Sequence, residues 1–225
     1  MSRAWRQLLL LIGKDLRIEA RSRQTMGLVT VLGVLILVVL GLGLGPGKVP
    51  SGPSGTVLLW VAYLFGGVLC FEKTMAVERQ DGTLAGLMLA PVDRGVLFAA
   101  KLITNLLLIA ALADGDTAVG TALPQFDPSG VLGAFVLITA MSLLGFAAVG
   151  TLFAAAVSST RLQGGLLALV IFPICLPLII ASTQLMVRLA ERPDEVGAGG
   201  YLILVAFDAI YLVMSWLVFE LLLEP

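Results

Sequence analysis

The chain of 225 residues has no histidine, only two cysteines and few charged side chains. Charged residues make up 13% of it, against about a quarter in an ordinary soluble domain, whereas 59% of the residues are hydrophobic. Because so few charges cannot cover the surface of a soluble protein of this size, the composition predicts an integral membrane protein. The lack of histidine excludes histidine-based acid–base catalysis and histidine metal ligands from this chain.

The sequence also lacks the motifs of enzymes and of nucleic-acid-binding proteins. Its formal net charge is −1, and no run of Lys and Arg is interleaved with aromatic residues, so nucleic acid is not an expected partner. The segment Gly41–Lys48 looks like a phosphate-binding loop, but Leu42 stands where that motif needs glycine and Val49 where it needs Ser or Thr. Cys70 and Cys175 lie in apolar runs, which favours packing. We therefore predict no catalytic residue and no metal site.

Six apolar segments are predicted to cross the membrane as helices. The first has 18 residues without a charge, which at about 1.5 Å per residue is about 27 Å and just crosses a bilayer. The six predicted spans are Gly27–Leu44, Thr56–Phe71, Val96–Ala113, Val131–Val157, Leu166–Met186 and Tyr201–Leu223.

The Lys and Arg residues favour one side of the membrane. Ten of them lie in residues 1–26, in the loop 72–95 and in the link 158–165, and three lie in the loops on the other side. The positive-inside rule therefore predicts that both termini are cytoplasmic. Lys101 lies five residues inside the third span and is expected to reach back to the cytoplasmic headgroups.

Residues 1–26 are predicted to form an amphipathic helix. Such a helix lies in the membrane interface with its basic side toward the lipid headgroups, and a solvated cytoplasmic helix is the alternative. Its apolar side carries Trp5, Leu8, Leu9, Ile12 and Leu16. Its basic side carries Arg3, Arg6, Lys14, Arg17 and Arg21.

The loop 72–95 has the densest internal charge and a pattern of its own. Asp81-Gly82 predicts a turn, and Thr83 can cap a short apolar helix that Pro91 ends. Asp93 can then cap the next helix. The short helix can dock into a groove on a partner or pack on the membrane face of its own chain, and the residues alone leave both open. Its apolar side chains are Leu84, Leu87, Met88 and Leu89.

This loop resembles the cytoplasmic loop of exporter-type ABC permeases, which couples the permease to its ATPase subunit. The resemblance is carried by Glu78, Arg79, Asp81, Gly82, Thr83, Leu84, Leu87, Met88, Leu89 and Pro91. More narrowly, the chain resembles the haem exporter protein B (CcmB) family in its basic segment Lys14–Arg23, its link Arg161–Leu167 and the prolines Pro173 and Pro177 of the fifth span. It departs from that pattern at Leu112–Gly130, which is acidic where we expect a longer apolar span.

The resemblance implies an all-α membrane protein of exporter-type (ABC-2-like) permease fold, with residues 1–225 as one domain in the bacterial inner membrane. The implied function is haem delivery for the biogenesis of c-type cytochromes, driven by ATP on a separate ATPase chain. The implied partners are that ATPase, a second copy of the chain, a haem-handling membrane subunit, a small accessory subunit and membrane lipid. No cofactor is expected to bind this chain directly, haem being the transported or handled species. An exporter of a drug, lipid or polysaccharide, or a membrane scaffold without ATP coupling, remains an alternative.

Polar residues and prolines within the spans are further candidates. Asp208 in the sixth span predicts either a functional carboxylate or one bonded to a hydroxyl near the outer cavity. Lys101 and Asn105 share a helix face, which favours anchoring and an interhelical hydrogen bond. Pro173 and Pro177 remove two helix hydrogen bonds and predict a kink, either static or acting as a pivot.

Overall fold

A computed structural model describes residues 3–22, 24–43, 53–80, 93–122, 132–158, 166–192 and 198–222. All of these residues except Asp93 and Arg192 are helical. The described part of the chain is therefore all-α, as predicted. Its helices are α1 Arg3–Ser22, α2 Gln24–Gly43, α3 Pro53–Gln80, α4 Arg94–Ala122, α5 Leu132–Ser158, α6 Leu166–Glu191 and α7 Ala198–Leu222.

Five of the helices are long and apolar enough to cross a membrane. The chain is therefore a multi-pass membrane protein. Helix α2 covers most of the first predicted span, but it is not one of these five, so a sixth span stays a prediction. The five apolar stretches are Thr56–Met75 in α3, Arg94–Asp114 in α4, Leu132–Val157 in α5, Leu166–Leu189 in α6 and Ala198–Phe219 in α7.

Two helices run past the predicted ends of their membrane spans. The second predicted span ends at Phe71, but α3 runs unbroken to Gln80, because residues 72–80 contain neither Pro nor Gly. The third predicted span ends at Ala113, but α4 continues through the following acidic segment to Ala122. No proline precedes Pro124 in that segment, and helices usually end just before a proline.

Helices α3 and α5 form the centre of the bundle. Helix α5 packs on α3, α4, α6 and α7, and α3 packs on α2, α4, α5 and α6. The rings of Phe71 in α3 and Phe146 in α5 meet edge to face, with centroids 5.1 Å apart. Each ring fills the space over a glycine of the other helix, because a Cβ at Gly150 would collide with Phe71 and a Cβ at Gly67 with Phe146. Small residues thus let the two central helices approach closely, as is common between membrane helices.

Helix α1 docks against this bundle along α4 and touches α2. Its Leu11 packs on the apolar core, while Trp5 and Leu9 of the predicted apolar side are exposed. A helix here was predicted, but it ends at Ser22, and residues 24–26 of the predicted helix belong to α2. Its placement in the membrane interface stays a prediction.

Candidate functional site

The residues that resemble the ATPase-coupling motif fall at the junction of α3 and α4. Glu78 and Arg79 belong to the last turn of α3, and α4 begins at Arg94. The backbone N–H of Gly95 donates to Asp93 Oδ1 over 2.8 Å, so Asp93 caps α4 as predicted. The segment that carries the resemblance therefore connects two helices of the bundle. The other motif residues lie outside the described residues; they are Asp81, Gly82, Thr83, Leu84, Leu87, Met88, Leu89 and Pro91.

A buried ion pair joins α1 to the start of α4. Lys101 Nζ lies 2.7 Å from Asp15 Oδ2, and the two side chains are 7% and 10% exposed. Lys101 was expected to reach the lipid headgroups, and that prediction was wrong. Helix α1 packs on α4 and presents a carboxylate, and a buried ammonium is stable only when it is paired in this way.

One turn further along α4, Asn105 connects three helices. Its Nδ2 donates to Thr151 Oγ1 of α5 over 2.9 Å. Its Oδ1 accepts from the Thr74 hydroxyl of α3, also over 2.9 Å. The interhelical hydrogen bond predicted for Asn105 is therefore present. We call Asp15, Thr74, Lys101, Asn105 and Thr151 together the polar junction.

A small cavity opens beside the polar junction. Its volume is about 30 Å³, which is enough to hold ordered water but too small for a larger ligand. The carboxylates of Asp15 and Glu19 and the ammonium groups of Lys73 and Lys101 line it, so the lining charges balance. Thr104 lies in the same wall, fully buried. The charged groups thus lie between α1, α3 and α4, close to the end of α3 and the start of α4.

Asp208 lies elsewhere, in the interface between α5 and α7. It is 6% exposed and packs over Gly145, where a Cβ would collide with its Oδ1. Oδ1 has no hydrogen-bond partner among the described residues, so the expected hydroxyl partner for this oxygen is not found there. Phe219, 11 residues or about 16 Å of helix further along α7, packs on Phe98 near the start of α4. Asp208 is therefore separate from the polar junction.

The prolines of the predicted kink lie within α6. Pro173 and Pro177 are exposed, and the helix continues through both positions. Five residues further along, the hydroxyl of Ser182 lies 2.6 Å from that of Ser142 in α5. The role of the prolines as a kink or pivot stays a prediction.

Sequence reasoning missed several members of these contacts. Thr151, Ser142 and Ser182 lie within apolar spans, and that signal could have flagged them. Thr74 gave no such signal, because it follows Glu72 and Lys73. Asp15 gave a weaker signal, because it fell on neither side of the amphipathic pattern of α1. Its role becomes visible only once Lys101 lies beside it.

Fold and contacts together define a multi-pass helical membrane protein with a buried polar junction beside the segment that connects α3 and α4. A family model, described as CcmB protein, matches residues 6–221. The chain belongs to the CcmB family.

Two curated relatives carry the name Heme exporter protein B. That of Paracoccus denitrificans is 28% identical over 192 residues, covering 84% of this chain and 86% of the relative. That of Rhodobacter capsulatus is 27% identical over 187 residues, covering 80% of this chain and 83% of the relative. The similarity therefore extends over most of each protein.

Proposed function

We propose that this chain is the membrane subunit of an ABC-type haem exporter that acts in the biogenesis of c-type cytochromes. The observation that carries the proposal is the CcmB family match over residues 6–221, together with relatives named Heme exporter protein B. The five apolar helices fit a membrane subunit. Haem is the species that the assembly transports or handles. With no histidine in the chain, we assign haem ligation to a partner subunit.

The chain itself is non-catalytic, and a separate ATPase subunit hydrolyses ATP. The coupling segment, residues 72–95, contacts that ATPase on the cytoplasmic side of the bacterial inner membrane. Six spans in an exporter-type fold and two cytoplasmic termini agree with the distribution of Lys and Arg. A second copy, a haem-handling membrane subunit and a small accessory subunit complete the assembly.

The polar junction supports a route by which force at the coupling segment reaches the bundle. Helix α3 is continuous from Thr74 to Gln80, so a displacement at its end moves Thr74, six residues or about 9 Å away. Thr74 is bonded to Asn105, which is bonded to Thr151. The ion pair between Lys101 and Asp15 adds α1 to the same connected unit. Helices α1, α3, α4 and α5 therefore move together when the ATPase pulls or releases the coupling segment.

Two other sequence features enter the proposal in lesser roles. The carboxyl group of Asp208 sits between α5 and α7, and a movement of one helix past the other would expose it. Pro173 and Pro177 weaken the backbone of α6 and make it the helix that bends. Neither group takes part in the polar junction.

Purification of the tagged full-length chain in detergent, with identification of every co-purifying protein, tests the proposal. We expect an ABC ATPase in the complex. Leu84→Asp, which places a charge on the docking side, should remove the ATPase, whereas Leu84→Met should retain it. Gly82→Pro should also release it, and Gly82→Ala is the matched control. An unchanged ATPase yield in both disruptive variants would place the docking surface elsewhere.

Deletion of the chain separates the haem function from the alternatives. We expect the loss of c-type cytochromes from the membranes, with recovery on re-expression. Normal c-type cytochromes together with an intact ATPase complex would assign the chain to the export of a drug, lipid or polysaccharide. Normal cytochromes without any ATPase would assign it to a membrane scaffold.

A further inference from the structure

A second cavity lies between the end of α6 and the start of α7, and its volume is about 370 Å³. That volume falls in the range of small-molecule binding sites. Leu185 forms one wall and packs over Gly200, where a Cβ would collide with it. On the other side, the position of a Cβ on Gly199 is open, with no atom within 4 Å. The two helices are thus in close contact along one wall of the cavity and leave space along the other.

The described residues that line this cavity carry a positive charge. Among the described residues that line it, Arg188 alone is charged, and Gln184 adds an amide. Arg188 forms no ion pair with a described residue. A guanidinium group is always charged and presents planar pairs of N–H donors that match the oxygens of phosphate. The cavity therefore suits an oxyanion.

An apolar track leads to this cavity along α6. Leu176, Ile180, Gln184 and Arg188 follow one another at intervals of four residues, so they lie on one ridge of the helix. Leu176 and Ile180 are each 53% exposed. The apolar stretch of α6 ends at Leu189, which places Arg188 at the depth where lipid headgroups begin and the two apolar residues at the depth of the acyl chains.

We propose that the cavity between α6 and α7 binds the phosphate group of a membrane phospholipid. The Arg188 guanidinium donates hydrogen bonds to two phosphate oxygens, and the Gln184 amide donates to a third atom of the headgroup. One acyl chain lies along Ile180 and Leu176. Charge complementarity at Arg188 and the apolar track below it select a phospholipid, because a soluble anion gains nothing from the track. This site is independent of the proposed transport function.

Native mass spectrometry of the full-length chain, purified with whatever subunits accompany it, tests the proposal. The probes are dioleoyl phosphatidylglycerol, dioleoylglycerol with the same chains but no phosphate, and inorganic phosphate. We expect one phosphatidylglycerol to bind at a concentration at which dioleoylglycerol does not. Arg188→Gln should weaken this binding about tenfold, since it removes a charge-assisted pair of hydrogen bonds. Arg192→Gln, which removes an exposed charge four residues away and outside the cavity, should leave it unchanged.

A second pair of variants changes no charge: one fills the cavity, and the other is its control. Gly199→Trp should fill the open wall and abolish binding. Gly133→Trp is its control, because Gly133 is also the second residue of its helix and also has open space around it. Unfolding temperatures measured without added lipid should be equal for all four variants, which separates loss of the site from loss of the fold.

Three results would overturn the proposal. Equal binding of dioleoylglycerol and phosphatidylglycerol would show that no phosphate is recognised. Equal binding in Arg188→Gln and in the wild-type chain would place the lipid elsewhere. Displacement of phosphatidylglycerol by an equal concentration of inorganic phosphate would assign the cavity to a soluble anion.

Discussion

The polar junction and the environment of Asp208 both place polar side chains among apolar helices, and they do so in opposite ways. At the junction, Lys101 faces a carboxylate and Asn105 bonds to hydroxyls on two other helices. At Asp208, Gly145 provides space, and Oδ1 accepts no hydrogen bond from a described residue. The first region is stabilised by paired polar groups, and the second by the close packing of the Asp208 side chain over Gly145. The difference predicts that substitutions in the two regions act through different physical terms.

The largest effect is expected at the ion pair. Asp15→Asn leaves the Lys101 ammonium buried without its anion, so we expect a loss of about 3 kcal/mol in the free energy of unfolding. Replacing both residues, as Asp15→Asn with Lys101→Met, should recover most of that loss, because no unpaired charge remains buried. Chemical unfolding in detergent, followed by circular dichroism, measures both values.

Lys14→Met is the control for the ion pair. Lys14 Nζ is 3.1 Å from Asp15 Oδ1, but its side chain is 35% exposed, so its loss should change stability by less than about 1 kcal/mol. Equal effects of Lys14→Met and Asp15→Asn would mean that burial of the Lys101–Asp15 pair is unimportant. ATPase co-purification measured in the same variants shows whether loss of the pair also uncouples the motor.

An intermediate effect is expected at the packing contact between Gly145 and Asp208. Gly145→Ala puts a methyl group where Asp208 Oδ1 lies, and we expect a destabilisation of about 1–3 kcal/mol. In the background of Asp208→Ala the same substitution should cost less, since the carboxyl is gone and only the Phe207 ring, 3.0 Å from the new Cβ, must still move. A double-mutant cycle by chemical unfolding measures this coupling.

The open position Gly133 is the control for that cycle, because Gly133→Ala meets no atom within 4 Å. A coupling near zero between positions 145 and 208 would contradict the contact. Asp208→Asn, which preserves the shape, separates packing from chemistry. A wild-type yield of c-type cytochromes in this variant would leave the carboxyl group with an architectural role alone.

The smallest effect is expected at Asn105. Asn105→Leu removes two hydrogen bonds, but the Thr74 hydroxyl retains the carbonyl oxygen of Phe71 as an acceptor at 3.0 Å. We therefore expect a loss of about 1 kcal/mol, typical of hydrogen bonds between membrane helices. A loss as large as that of Asp15→Asn would show that hydrogen bonds, rather than the ion pair, hold the junction.

Some features of the site could be predicted from the sequence because their physics is local. The cap at Asp93 depends on residues two positions apart, and its hydrogen bond to Gly95 was predictable from that spacing. A polar Asn105 within an apolar span has to find a partner, so an interhelical hydrogen bond was predictable as well. Its actual partners were not, because several hydroxyl groups lie at comparable depth on other helices.

Other features were missed because they depend on neighbours distant in the chain. Lys101 was predicted to reach headgroups because it lies five residues inside its span; instead α1 supplies an anion from 86 residues away in the chain. The second span was predicted to end at Phe71, where the charges begin, and the continuation of the same helix to Gln80 was not predicted, although nothing there breaks a helix. Charge indicates where a helix leaves the membrane, but it does not end the helix.

The sequence by itself determined that this is a helical membrane protein, since the scarcity of charge and the length of the apolar runs leave no other way to satisfy the backbone in lipid. It also carried the motifs of the CcmB family. Tertiary structure alone decided that Lys101 pairs with Asp15, that Asn105 joins three helices and that Asp208 faces a glycine. Those contacts join residues 31 to 86 positions apart, and only the packing of whole helices determines which of many similar polar groups meet.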